Sequence, residues 1–155
     1  METDPAFDGA GERVGLESWR IENKLCVRQD PSTHGKLYSG DSYIFLNTKE
    51  AKSGGFNWDI HFWLGSESSQ DEIGIAAYKT VELDEGLGGG PVQFRECQGH
   101  ESGQFMSIFK ALGGVEYLDG GVESGFVKVE RDVYRTRLLR LKGRRVPRCR
   151  AAWRR

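Results

Sequence analysis

Three carboxylates stand where a hard cation could be held through oxygen ligands: Asp41 in a Gly40-Asp41 turn, Glu72 three residues after Ser69, and Asp84 on the apolar side of a helical stretch. Each also has an ordinary reading. Gly-Asp is a common turn spelling, Glu72 completes a Ser-x-x-Glu capping box, and an ionised Asp84 near a helix end is tolerated if that end frays. No EF-hand loop is spelled out. The groups used for catalysis make no constellation: His34, His61 and His100 are scattered, and no G-x-S-x-G, H-E-x-x-H or P-loop occurs. The Gly88-Gly89-Gly90 run leads through Pro91 into a strand-like segment, so it lacks the helix N-terminus that a phosphate cradle needs. Cys26, Cys97 and Cys149 are odd in number and show no C-x-x-C spacing, which argues against a disulfide framework or a zinc site and for a reducing cytosol. The expectation is a protein that is not an enzyme.

The elements that must position these carboxylates follow from periodicity. In ESWRIEN, Trp19 and Ile21 alternate with polar residues, which is the period of a strand. SYIFLN after the Ser39-Gly40-Asp41 turn and NWDIHFWLG repeat the signal, with Trp58, Ile60, Phe62 and Leu64 on one face and Asp59, His61 and Trp63 on the other; the glycines of KEAKSGGFN make the hairpin between them. The period then changes. Ser68 to Leu87 opens with the capping box and ends in glycines, so it reads as a long helix whose face of Ile73, Ala76, Ala77, Thr80, Val81, Leu83 and Leu87 meets the sheet. Ile75 and Tyr78 fall on the other side among charges and are candidates for an exposed apolar contact. PVQFRECQ returns to strand alternation, and Ser102 to Ala111 reads as a short helix. The fold expected is α+β, a sheet covered on both faces.

At 155 residues the chain is long enough for one ordinary domain, and no run of about 18 apolar residues could cross a membrane as a helix. Residues 1–14 are polar and acidic and read as a disordered leader, 15–130 as the domain, and 131–155 as a basic linker or tail. The net charge of −1 hides an asymmetry: residues 1–130 carry 11 Lys or Arg against 22 Asp or Glu, and residues 131–155 carry 11 against one. Such a tail seeks anionic partners.

The ordered strings LESWRIEN, YSGDSYIFLNT, WDIHFWLGSESSQDEIGIAAYKTVELDE, PVQFRECQGHES, GGVESGF and RLLRLKGRRV resemble the first repeat of the gelsolin and villin family, nearest its villin-like members, from about Leu16 to Val146. The resemblance implies a central five-stranded mixed sheet between one long helix and one short helix. It implies an intradomain calcium ion held by Gly40, Asp41, Glu72 and Val122, with carbonyls from the glycine and the valine. It implies a second calcium shared with actin, on Asp84 and the carbonyls of Gly89 and Pro91, where Pro91 replaces the small non-proline residue usual in the family.

The long helix would enter a cleft of actin through Ile75 and Tyr78. RLLRLKGRRV matches a linker associated with phosphoinositides and filament sides, which points to Arg137, Arg140, Lys142, Arg144 and Arg145. The family's lysine-rich segment before GGV has no counterpart in ALGGVEYLD, and from Pro147 RCRAAWRR no longer follows the family, so the expectation is a fragment, a truncated product or a divergent single-repeat protein without the second repeat. The expected function is a monomeric, cytoplasmic, cytoskeletal module that needs calcium to bind actin monomer and cap filament barbed ends, with little or no severing. The rival is a phosphoinositide or membrane adaptor driven by the tail.

Overall fold

The computed structural model describes residues 4–121 and, further along, the backbone of two short strands. Five strands form the central sheet: β1 (Gly15–Glu22), β2 (Leu25–Arg28), β4 (Ser42–Glu50), β5 (Phe56–Leu64) and β6 (Val92–Cys97), in the order β2-β1-β4-β5-β6. Neighbours are antiparallel except β5 and β6, which run parallel, as a helical crossover requires. That crossover is α1 (Gln70–Gly86); α2 (Gly103–Lys110) covers the other face. Two outlying strands, β3 (Lys36–Tyr38) and β7 (Glu116–Leu118), pair in parallel. Strands β8 (Leu139–Lys142) and β9 (Arg148–Ala151) form an antiparallel pair with Arg140 opposite Arg150.

The mixed five-stranded sheet between a long and a short helix is the architecture the sequence implied. Strand β4 explains why both faces close. Ile44 and Leu46 join Trp19, Ile21, Ile60 and Leu64 under α1, whereas Tyr43 and Phe45 join Trp63, Phe105 and Phe109 under α2. Strict alternation of large apolar side chains to both sides is the mark of a strand buried twice. Phe45 meets Phe105 and Phe109 edge-on at centroid distances of 5.5 and 5.2 Å, so the second layer is an aromatic cluster.

Helix α1 starts where its sequence directs. Ser69 Oγ accepts from the Glu72 amide at 3.2 Å and Glu72 Oε2 accepts from the Ser69 amide at 3.1 Å, a complete capping box.

Two expectations are corrected. The leader, expected to be disordered, is docked from Asp4 onward: Phe7 and Ala10 are buried, the Trp19 indole donates to the Ala6 carbonyl at 2.7 Å, and Trp58 donates to the Gly11 carbonyl at 3.0 Å. Its few apolar residues suffice because two indole N–H groups need buried acceptors, and the leader's carbonyls supply them. Ile75, expected to face outward, packs against the core under α1, and Val81, expected inward, is 45% exposed. The helix is rotated toward the leader. Lys79 bonds Asp4 at 2.8 Å and Glu82 at 2.7 Å, and Glu82 also receives the Asp4 amide, which covers a flank that its charges had marked as solvent-facing.

Candidate functional site

Asp41 and Glu72 are brought together by the turn after β3 and the first turn of α1. Asp41 is fully buried and Glu72 is nearly so. The end of β7 and the residues after it lie along the turn: the Ser39 amide donates to the Leu118 carbonyl at 2.8 Å and the Gly40 amide to the Gly120 carbonyl at 2.7 Å. The approach at Gly121 is closer still. A Cβ there would stand 2.5 Å from Asp41 Oδ1, so only glycine lets the backbone reach that carboxylate. Val122 lies outside the described residues; the residue before it touches the Asp41 site.

Glu72 is linked to this turn through hydroxyls. Ser42 Oγ and Ser68 Oγ are 2.6 Å apart, and Ser68 Oγ donates to Glu72 Oε2 at 3.3 Å. All of these contacts fall on one oxygen. Oε1 of Glu72 is buried with no hydrogen-bond partner among the described residues. Burial pushes the Glu72 carboxyl above the usual glutamate value, the Asp41 charge adds to the rise, and the Ser68 and Ser69 contacts oppose it. A buried carboxylate oxygen with no partner among the described residues, beside a second buried carboxylate and two backbone turns, could serve as a donor set for a hard cation. No cluster of three metal-binding His, Cys, Asp or Glu side chains occurs among the described residues. A site of two carboxylates completed by carbonyls does not require one.

Asp84 lies in the last turn of α1, which continues in regular form to Gly86; it is not frayed. It is half-buried. Its Oδ2 accepts from Gln93 Nε2 at 2.6 Å, while Oδ1 is buried without a partner among the described residues. The following loop folds back over this end: the Gly89 amide donates to the Asp84 carbonyl at 2.9 Å, and Gly88 and Gly89 take φ values of +82° and +72°. Asp84 and Gly89 are thus joined at one end of α1, with Gln93 beyond Pro91 reaching back to the same carboxylate. Asp84 and Glu72 hold the two carboxylate oxygens among the buried, unpartnered side-chain atoms of the described residues.

The outer face of α1 presents Gly74, Tyr78, Val81 and Glu85, at the i, i+4, i+7, i+11 spacing of one helical ridge. Tyr78 is 60% exposed. Of the two anchors read from sequence, Tyr78 is exposed and Ile75 is packed against the core; Val81 is the other exposed apolar side chain on this ridge. Arg137, Arg144 and Arg145 lie outside the described residues, and Arg140 and Lys142 are placed by backbone alone, in β8.

Sequence reasoning missed Arg20. From β1 its Nε donates to Asp41 Oδ2 at 2.8 Å and its Nη2 lies 2.5 Å from the same oxygen. The guanidinium sits over the Tyr38 ring at 4.6 Å. The available signal was its place in the alternation: Arg20 falls opposite the Trp19 and Ile21 face on a strand covered on both sides, where a cation needs a buried partner.

A family model described as Gelsolin repeat matches residues 26–106. The chain is 56% identical over 142 residues to Villin-2 of Arabidopsis thaliana, covering 92% of this chain and 14% of that protein. It is equally identical over 142 residues to the cytoplasmic gelsolin of Homarus americanus, covering 91% of this chain and 18% of that protein. The chain therefore spans less than one fifth of either relative. Among solved structures it resembles a chain of the Thorarchaeota 2DGel3/rabbit actin complex, with a TM-score of 0.57 and 23% identity over 88% of this chain and 63% of that one. That likeness concerns the fold.

Proposed function

The chain belongs to the gelsolin/villin family as a gelsolin repeat, and on that premise we propose that it is a calcium-dependent actin-binding module and not an enzyme. It would bind the actin monomer and cap filament barbed ends, in the cytoplasm at the cytoskeleton, with little severing of its own. One observation carries this reading. The two buried carboxylate oxygens without partners among the described residues, on Glu72 and Asp84, belong to the residues that the family resemblance assigns to two different calcium sites.

Asp41, Glu72 and the carbonyls of Gly40 and Val122 would hold the intradomain ion. Calcium supplies there a divalent charge that two buried carboxylates can share. Asp84, with carbonyls from Gly89 and Pro91, offers too few oxygens for a complete shell of six to eight, which suits a site that an actin carboxylate finishes. Tyr78 and Val81 would dock on actin, since a few desolvated apolar and aromatic anchors can dominate an interface. The basic residues Arg137, Arg140, Lys142, Arg144 and Arg145 would contact phosphoinositide headgroups, a role supported by their charge density alone. The test is co-elution of the chain with monomeric actin on gel filtration, in calcium and in chelator. A complex in calcium that dissolves in chelator is expected; no complex in either condition overturns the proposal.

A further inference from the structure

Arg20 places a fixed positive charge against one of the two carboxylates of the Asp41–Glu72 site. Asp41 has no exposed surface, and a buried carboxylate is costly unless its charge is matched. The guanidinium matches it through Nε and Nη2, and both contacts converge on Oδ2. The backbone of Gly121 comes up against the other oxygen, Oδ1, where a Cβ would stand at 2.5 Å. The cation of the protein and the turn that lines the expected metal site therefore approach different oxygens of the same carboxylate.

The guanidinium is held in place from several sides. It lies over Tyr38 at 4.6 Å, 6.0 Å from the Tyr43 ring centre, and 3.8 Å from Glu22 Oε1. Its side chain is only 16% exposed, so little solvent screens it. An Arg so enclosed does not swing away when a second cation enters.

We infer that Arg20 is a resident counter-charge that weakens the divalent-cation affinity of the Asp41–Glu72 site and in exchange keeps Asp41 buried, ionised and oriented when no ion is bound. The inference rests on the calcium reading of that site. With Arg20 present the two carboxylates and the guanidinium sum to one negative charge; without it they sum to two. A unit charge acting on a divalent ion across a few ångströms changes affinity on the order of tenfold, even when well screened. A merely structural ion pair would stabilise the fold and leave affinity alone.

The experiment is calcium titration calorimetry on the full chain with thermal melts in chelator and in saturating calcium, for the parent, Arg20→Gln and Arg20→Lys. Arg20→Gln should bind calcium on the order of tenfold more tightly and melt lower in chelator, so the melting shift on adding calcium grows; Arg20→Lys should keep near-parental affinity. Equal or weaker binding by Arg20→Gln, with both melts lowered alike, overturns the inference. If the parent takes up no calcium but Arg20→Gln does, the counter-charge is supported; if neither does, the calcium reading fails and this one with it. Should Arg20→Gln not fold, Glu22→Gln keeps the test open. It frees the Arg20 guanidinium of a competing negative charge at 3.8 Å and strengthens its pull on Asp41, so calcium binding should weaken about twofold, and unchanged or tighter binding overturns the inference.

Discussion

The Trp19 indole donates to the Ala6 carbonyl at 2.7 Å, and the Phe7 ring meets Trp19 edge-on with centroids 5.2 Å apart. Ala6, Phe7 and Ala10 thereby join the core beneath α1. Phe7 is 5% exposed, so Phe7→Ala removes a buried aromatic ring and should cost about 3 kcal/mol of stability in urea unfolding. A loss below about 0.5 kcal/mol, the range of ordinary surface substitutions, would mean that the leader does not dock in solution.

A single substitution separates the capping role of Glu72 from the ligand role proposed for it. Gln at the third helical position still completes a capping box, so Glu72→Gln retains the start of α1 while removing a ligand charge. The parent should gain about 2.7 kcal/mol from calcium at 100 times its dissociation constant, and Glu72→Gln should lose most of that gain. Thermal melts with and without calcium measure both. A parent that melts identically in the two conditions would remove the intradomain site.

Acid should destabilise the fold through His61. The imidazole is fully buried, its Nδ1 lies 2.8 Å from Glu96 Oε1, its Nε2 has no partner among the described residues, and Phe94 stacks on it at 4.7 Å. Burial lowers its pKa below 6.5; Glu96 and Asp59 oppose that, and Lys49 reinforces it. As pH falls through about 6.5 the unfolded chain takes up a proton that the folded chain resists, so stability drops, by at most about 1.4 kcal/mol per pH unit for one proton. His34, also lowered by burial, adds to the same slope. Urea unfolding at pH 7.5 and 5.5 should show a smaller difference for His61→Gln than for the parent; an unchanged slope would assign the acid sensitivity elsewhere.

The outer ridge of α1 and its buried flank should respond oppositely to alanine. Tyr78→Ala should leave stability within about 0.5 kcal/mol and weaken actin binding by about 2 kcal/mol, roughly 30-fold. Ile75→Ala should do the reverse, destabilising the fold by about 2 kcal/mol with little direct effect on binding. Fluorescence titration of actin monomer paired with urea unfolding distinguishes them, and a Tyr78→Ala chain with parental affinity would exclude that ridge as the contact.

How far the sequence could be read depended on whether a residue's partner was near in the chain. The Ser69–Glu72 cap, the β4–β5 hairpin and the alternation of Trp19 and Ile21 are local signals, and each appears where periodicity put it. The orientation of α1 was not local. A helical wheel ranks Ile75 as outward because Lys79 and Glu82 share its flank, but Asp4, more than seventy residues earlier, covers those charges. Arg20 was silent for the same reason: its meaning comes from Asp41, across the sheet and a turn. Of the ligands the resemblance implies, Asp41 and Glu72 lie at the first turn of α1, linked through Ser42 and Ser68, and Asp84 lies 12 residues on from Glu72, where the Gly89 amide meets its carbonyl. Such pairings were legible only through the family resemblance, because spacing alone leaves a turn, a cap and a helix end as complete explanations.

Asp84 tests whether the second site is shared. Its Oδ2 is engaged by Gln93 at 2.6 Å and its Oδ1 is buried without a partner among the described residues, so it offers one oxygen to which the loop would add carbonyls; that set cannot fill a calcium shell alone. The site should therefore fill tightly only when actin contributes, and linkage requires that actin tighten calcium by the factor by which calcium tightens actin. Calorimetry should count one ion in the free chain and a second in the actin complex. Asp84→Asn should reduce both couplings and keep the stability gain from the intradomain ion, since Asp41 and Glu72 are untouched. Equal stoichiometry in the free and bound states would mean that Asp84 contributes no ion to the interface, and its unpartnered oxygen would then need another account.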